Sequence, residues 1–211
     1  MNRRPYSLRS SLVAFAMLLT TLPALAFLEL PTQTQFAFNE ILVAIDTVAN
    51  PSANQQLAQR RVNKSTAKLF RSGRTLRQCL KDMEKTLRKA GTLFEDAELE
   101  GQSVPELRAA LLQRLRSDML DAVDDLDLQI EIANPSTEDD PPFRIVRPID
   151  KAGEKLSALS EATSGATEID AKTLRRAFRD FGQVAELLER SARRAKKAGF
   201  GDFSVAIPTP R

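Results

Sequence analysis

Histidine and tryptophan are absent from this 211-residue chain, and cysteine and tyrosine occur once each. Without histidine there is no His-dependent catalytic triad, no His-ligated haem and no zinc site built on imidazole. The Glu-x-x-His pairs of the usual helical di-iron centre are excluded for the same reason. A lone Cys79 cannot close a disulfide within the chain. It reads as a small, partly buried hydrophobe, with an intermolecular disulfide as the alternative in an oxidising compartment. Tyr6 lies in the leader described below, so a platform for stacking bases or sugars would have to use phenylalanines. Gly-x-Ser-x-Gly elbows, phosphate-binding loops and dinucleotide fingerprints are also missing. No segment sustains the two-residue alternation of a half-buried strand. The fold class expected is all-α: an antiparallel helical bundle of four to five amphipathic helices, one of them very long.

The first residues have the form of an export signal. Arg3, Arg4 and Arg9 make a basic start, Leu12–Leu22 is an apolar run, and Ala24-Leu25-Ala26 follows Pro23 as a small-x-small cleavage pattern. The expectation is a signal peptide over 1–26, cleaved near Ala26, and an exported chain, periplasmic or secreted, over 27–211. An uncleaved anchor over Leu12–Leu30 is the rival, opposed by Pro23 and Glu29. Cleavage changes the charge argument. The full chain has 31 basic and 28 acidic residues, and loss of Arg3, Arg4 and Arg9 leaves 28 of each. Distribution then matters more than net charge.

Ala58–Phe94 is the stretch on which the chain reads as organised. At the helical step of about 100° per residue, Ala58, Val62, Leu69, Leu76, Leu80, Met83, Leu87, Ala90 and Phe94 share one side. Basic residues fill the opposite side and the flanks. The phase survives Ser72-Gly73, so the pattern predicts one long helix, apolar on one face and basic on the other, acting as the spine of the fold. Gly73 and Gly91 are its weak points.

Around it, Phe27–Gln35 is expected to be extended or loose, with Pro31 barring an early helix, and Phe36–Val48 helical. Ser52 with Gln55, and Ser103 with Glu106, have capping-box spacing. A helix is predicted over Val104–Ala133, striped by Leu107, Leu111, Leu115, Met119, Ala122, Leu126 and Ile130. Proline-rich 134–148 reads as a linker, Asp150–Ala162 as a short helix, and Asp170 as the cap of a last helix over Ala171–Ala198. Residues 200–211 read as a loose tail. The whole of 27–211 is of a size for one domain.

Two charged features are candidates for function. Asp118, Asp121, Asp124, Asp125 and Asp127 crowd the predicted Val104–Ala133 helix, but neither they nor Glu138-Asp139-Asp140 have the spacing of a calcium loop. They read as a solvated acidic face, or as one paired with the basic helix. The second is a candidate face for an anionic partner: Arg60, Lys64, Lys68, Arg71, Arg74, Lys81, Lys85, Arg88 and Lys89, with Arg190, Arg193, Arg194, Lys196 and Lys197 near the C-terminus. A basic helix followed closely by an acidic one is expected to form a hairpin whose flanks attract, which would cover this face.

The functional expectation is an exported, non-enzymatic protein acting through protein–protein contact, with another protein or itself as partner. The alternative is a binding module for an anionic polymer or membrane surface through the basic face. Nucleic acid is not expected among the partners. No catalytic residue, cofactor or metal is expected.

Overall fold

A computed structural model describes residues 32–67, 69, 75–134 and 140–201. The signal expected over 1–26, most of the 200–211 tail, and Lys68, Arg71 and Arg74 lie outside these. Among the described residues the protein is mostly helical: α1 (Thr32–Asp46), α2 (Ala53–Thr66), α3 (Leu76–Ala90), α4 (Val104–Ile132), α5 (Phe143–Thr163) and α6 (Ala171–Lys197). A two-residue ribbon, β1 (Glu98–Leu99) and β2 (Gln102–Ser103), precedes α4. No described helix is long and apolar enough to cross a membrane.

The expected long helix is two helices. Ala67 ends α2 and Thr75 caps α3, its hydroxyl accepting from the Gln78 N–H while the Gln78 side chain accepts from the Thr75 N–H. The chain then folds back. Gln55, in the first turn of α2, donates to the Leu93 carbonyl beyond the end of α3 at 2.9 Å, and Lys89 donates to Ser65. Leu69, between the helices, is still buried. That burial explains the unbroken apolar phase: the connection itself contributes to the core, so periodicity could not mark it.

Other boundaries follow local chemistry. Ser52–Gln55 and Ser103–Glu106 form reciprocal capping boxes, as their spacing predicts, and Asp170 accepts from the Thr173 N–H at 2.6 Å. Helix α1 begins at Thr32, earlier than expected; Pro31 constrains only an interior or a preceding residue, not a first turn placed after it. At the end of α3, Gly91 takes φ +56°, a left-handed value that glycine adopts without strain. Glu100 and Gly101, at φ +53° and +83°, make the two-residue turn of the β ribbon.

The expected linker is shorter than 134–148, because α5 starts at Phe143 and contains Pro148. Proline has no N–H to give the Arg144 carbonyl four residues back. Arg194 of α6 donates to that carbonyl instead, at 2.6 Å, and the buried Ser191 hydroxyl donates to the Ile145 carbonyl at 2.6 Å. A helix break anticipated from proline is thus prevented by donors from a neighbouring helix.

The central element is α4, not the 58–94 stretch. It packs against α1, α5 and α6, and buries Leu107, Leu111, Leu115, Met119, Leu126 and Ile130 together with Ala109, Leu112 and Val123 off that stripe. Helix α6 packs against α3, α4 and α5 and contributes Phe178, Phe181, Val184 and Leu188, the two rings meeting edge to face. Helix α3 rests on α2 and α6.

Candidate functional site

The basic face is built by α2, α3 and α6. On α3, burial of Leu76, Leu80, Met83 and Leu87 turns Arg77, Lys81, Lys85 and Arg88 outward, and all four are exposed. On α2, burial of Ala58 and Val62 leaves Arg60, Arg61 and Lys64 exposed. Arg190, Arg193, Arg194, Lys196 and Lys197 are exposed on the last turns of α6, where cations also suit the helix dipole. Lys89 alone among the described candidates is half-buried.

Side chains at Glu186 join two of these groups. Arg77 Nη2 of α3 lies 3.0 Å from Glu186 Oε2, and Arg190 Nη2 lies 3.4 Å from Oε1. One carboxylate therefore sits between the start of α3 and the basic end of α6. Arg193 donates to the Glu189 carbonyl at 3.1 Å and Arg194 to the Arg144 carbonyl, so both are oriented by the backbone. Arg61 and Arg77 lie on the flanks of the 58–94 helical projection, and the sequence pattern does not bring Glu186, four residues before Arg190, to them.

The expected covering of this face by the acidic helix does not occur through α4, whose main neighbours are α1, α5 and α6. The acids of α4 turn elsewhere. The Asp127 pKa is raised, first by burial and then by Glu131, Asp150 within α5, and Asp124. Like charges thus gather on the α4–α5 side. Asp118, also read as part of an acidic face, is buried, and the Thr34 hydroxyl of α1 donates to its carboxylate. Desolvation raises its pKa, against the opposing effects of the Thr34 hydrogen bond and Arg114.

Arg108 was not singled out by the sequence. It is 3% exposed, and its guanidinium donates to both Glu95 oxygens at 2.6 and 2.7 Å and to the Gly91 carbonyl at 3.1 Å. It pairs with Glu95, the first acid after α3, and ties the turn at Gly91 that leads to the β ribbon. Its signal was a lone arginine beside the Leu107–Leu111 stripe, opposite an acidic connection.

Between α2 and α3 lies a groove of about 110 Å³ lined by Lys64, Ser65, Asp82, Lys85, Thr86 and Lys89. The Ser65–Lys89 pair within it resembles a serine–lysine dyad only in composition. Ser65 donates its own proton to the Arg61 carbonyl at 2.9 Å while Lys89 donates to the Ser65 oxygen, the reverse of a lysine accepting a nucleophile's proton. Ser160 accepts from Arg116 at 3.0 Å. Cys79 is buried, in keeping with its reading as a small core residue. No group of three acidic or cysteine side chains placed to hold a metal occurs among the described residues.

Among the described residues, the large apolar side chains exposed to solvent are Phe36, Val43, Leu57, Leu93, Leu128, Ile132 and Phe143. Phe36 of α1 borders an open hollow of about 480 Å³ with Ala110 and Arg114 of α4. Leu128 and Ile132, one turn apart near the end of α4, and Phe143 at the start of α5 are also exposed, with Arg147 stacked 5.4 Å from the Phe143 ring centre. Comparison with known protein families, curated proteins and solved structures finds no match to this chain.

Proposed function

We propose that the protein is a binding protein without catalytic activity, exported after cleavage near Ala26, which meets an anionic polymer or membrane surface through the α2–α3–α6 basic face. The observation that carries this reading is the junction at Glu186, where exposed basic residues of α3 and α6 adjoin while the acids of α4 lie against α5. Surface charges gathered on one side attract polyanions over distances up to about the Debye length, near 8–10 Å at physiological salt. In this reading the helices form an antiparallel bundle, which fits Arg77 beside Glu186 at one end of α3 and Arg88 near Arg175 at the other.

The test is retention of the purified protein on anionic vesicles as salt is raised. Each Lys or Arg near an anionic surface contributes about 1 kcal/mol, so Lys81→Gln with Arg193→Gln weakens binding about 30-fold. Unchanged retention by that pair would remove the basic face from the account. Protein–protein contact is the second reading, supported by exposed Leu128, Ile132 and Phe143. It predicts that Ile132→Ser abolishes self-association measured by sedimentation while retention on vesicles stays the same.

A further inference from the structure

We propose that the tip formed by the start of α5 and the end of α6 seats on an anionic phospholipid bilayer, with the Phe143 ring sunk below the headgroups. This rests on the reading of the basic face for the sign of the partner. It goes beyond that reading in choosing a bilayer over a soluble polymer and in naming an apolar anchor. Two hydrogen bonds hold the tip together. Arg194 donates to the Arg144 carbonyl and Ser191 to the Ile145 carbonyl, both at 2.6 Å, so the last turns of α6 lie against the first turn of α5. The basic end of α6 is thereby brought beside Phe143, which is 69% exposed.

Three features make this more than one stray phenylalanine. First, Pro142 before it is also exposed, and its ring fixes the backbone there, so the apolar corner stands out at a rigid point. Second, the Arg147 guanidinium lies 5.4 Å from the Phe143 ring centre. A ring that enters the acyl boundary carries that cation to the level of the lipid phosphates, which a guanidinium binds through two parallel hydrogen bonds. Third, Arg144, Arg194 and Lys197 are exposed on the same two helix ends. A soluble polyanion satisfies these cations and leaves the Phe143 ring in water. A bilayer takes up both, the charges at the headgroups and the ring beneath them.

The opposing influences are smaller. Glu138, Asp139 and Asp140 precede the tip in the chain. Arg144, Arg147, Arg194 and Lys197 outnumber them, and the arginines gain hydrogen bonds at a phosphate beyond their charge. Asp150, farther along α5, interacts with Asp127 of α4. The helix dipoles decide little, because the positive start of α5 adjoins the negative end of α6. Ile132 is also exposed, but it follows Glu131 on the acidic helix α4 and is not part of the anchor.

The chain has no tryptophan, so Phe143→Trp introduces a single fluorescent reporter. The experiment titrates that purified protein with vesicles of phosphatidylglycerol mixed with phosphatidylcholine, and with heparin as the soluble polyanion. On the vesicles the emission is expected to shift to the blue and to be quenched by brominated acyl chains; heparin is expected to bind with neither change. Phe143→Ser is expected to bind the vesicles about tenfold more weakly than the parent and to elute from heparin at the same salt. Arg144→Gln with Arg147→Gln is expected to weaken vesicle binding about 30-fold. All three positions are exposed, so the variants keep their fold, which circular dichroism checks. No blue shift on the vesicles, an equal shift with heparin, or an unchanged vesicle affinity in Phe143→Ser overturns the anchor. Loss of self-association in Phe143→Ser with vesicle affinity intact overturns it as well, and gives the ring to a protein partner. A blue shift and Phe143-dependent vesicle binding that persist while Lys81→Gln with Arg193→Gln leaves retention unchanged sink the wider reading and leave the anchor standing.

Discussion

At the scale of the residue, the buried charges carry the sharpest consequences. Burial disfavours the charged form of Asp118 and raises its pKa. Its folded pKa lies above its unfolded value, so its contribution to stability is intact below the ordinary aspartate range and is lost as pH rises through the folded pKa. Asp118→Asn keeps an oxygen to accept from Thr34 and carries no charge. The variant is expected to melt higher than the parent at pH 7, with the difference shrinking as pH falls towards 4. A difference that widens on acidification would show that the Arg114 attraction outweighs burial. The capping acids work in the opposite sense. Hydrogen bonds from Ser103 lower Glu106, and those from Thr173 lower Asp170, so their contribution is lost as pH falls through the lowered values.

Arg108 makes a different case. Removing one partner of a fully buried pair costs about 3–5 kcal/mol. The Glu95 side chain is 30% exposed and can recover some hydration. Arg108→Met is therefore expected to cost about 2–3 kcal/mol in urea unfolding. Adding Glu95→Gln, which removes the unpaired charge, should recover part of that loss. An additive pair of substitutions would mean the two side chains do not act together.

At the scale of the element, the question is which helix organises the others. Met119 of α4 is fully buried, and truncating it to alanine is expected to cost about 2–5 kcal/mol. Leu57 of α2 is exposed, and the same truncation should stay within about 0.5 kcal/mol. Similar costs at the two positions would contradict the central place of α4. Much of this level was legible beforehand. Ser52, Ser103 and Asp170 mark helix starts because a cap is a local hydrogen bond between residues three apart, and the stripe from Leu107 to Ile130 shows directly as core. The break between α2 and α3 was not legible, because Leu69 keeps the apolar phase through the connection. The start of α5 was hidden for the converse reason: Pro148 signals a break, and the donor that relieves it, Arg194, lies 46 residues further on. Arg108 was hidden because its burial depends on an acidic turn folding over it.

At the scale of the whole molecule, charge is arranged by which helices touch. A basic helix followed by an acidic one suggested mutual cover in the sequence. In the fold α3 lies on α2 and α6, and α4 lies on α1, α5 and α6. Sequence showed the amounts of charge, but the neighbours of each helix decide whether those charges cancel, and neighbours are set by the shapes of the buried faces. The basic residues of α2, α3 and α6 consequently stay in water, where exposed ion pairs such as Arg77–Glu186 contribute little to stability, about 0–1 kcal/mol each. On the proposed reading, their placement serves an anionic partner rather than folding.

The most direct measurement of that claim is the salt dependence of binding to anionic vesicles, compared between the parent protein and Lys81→Gln with Arg193→Gln. Retention is expected to fall steeply between low and physiological salt, with an affinity about 30-fold weaker in the variant and a shallower dependence on salt. Retention that is insensitive to salt, or equal for the two proteins, would contradict it.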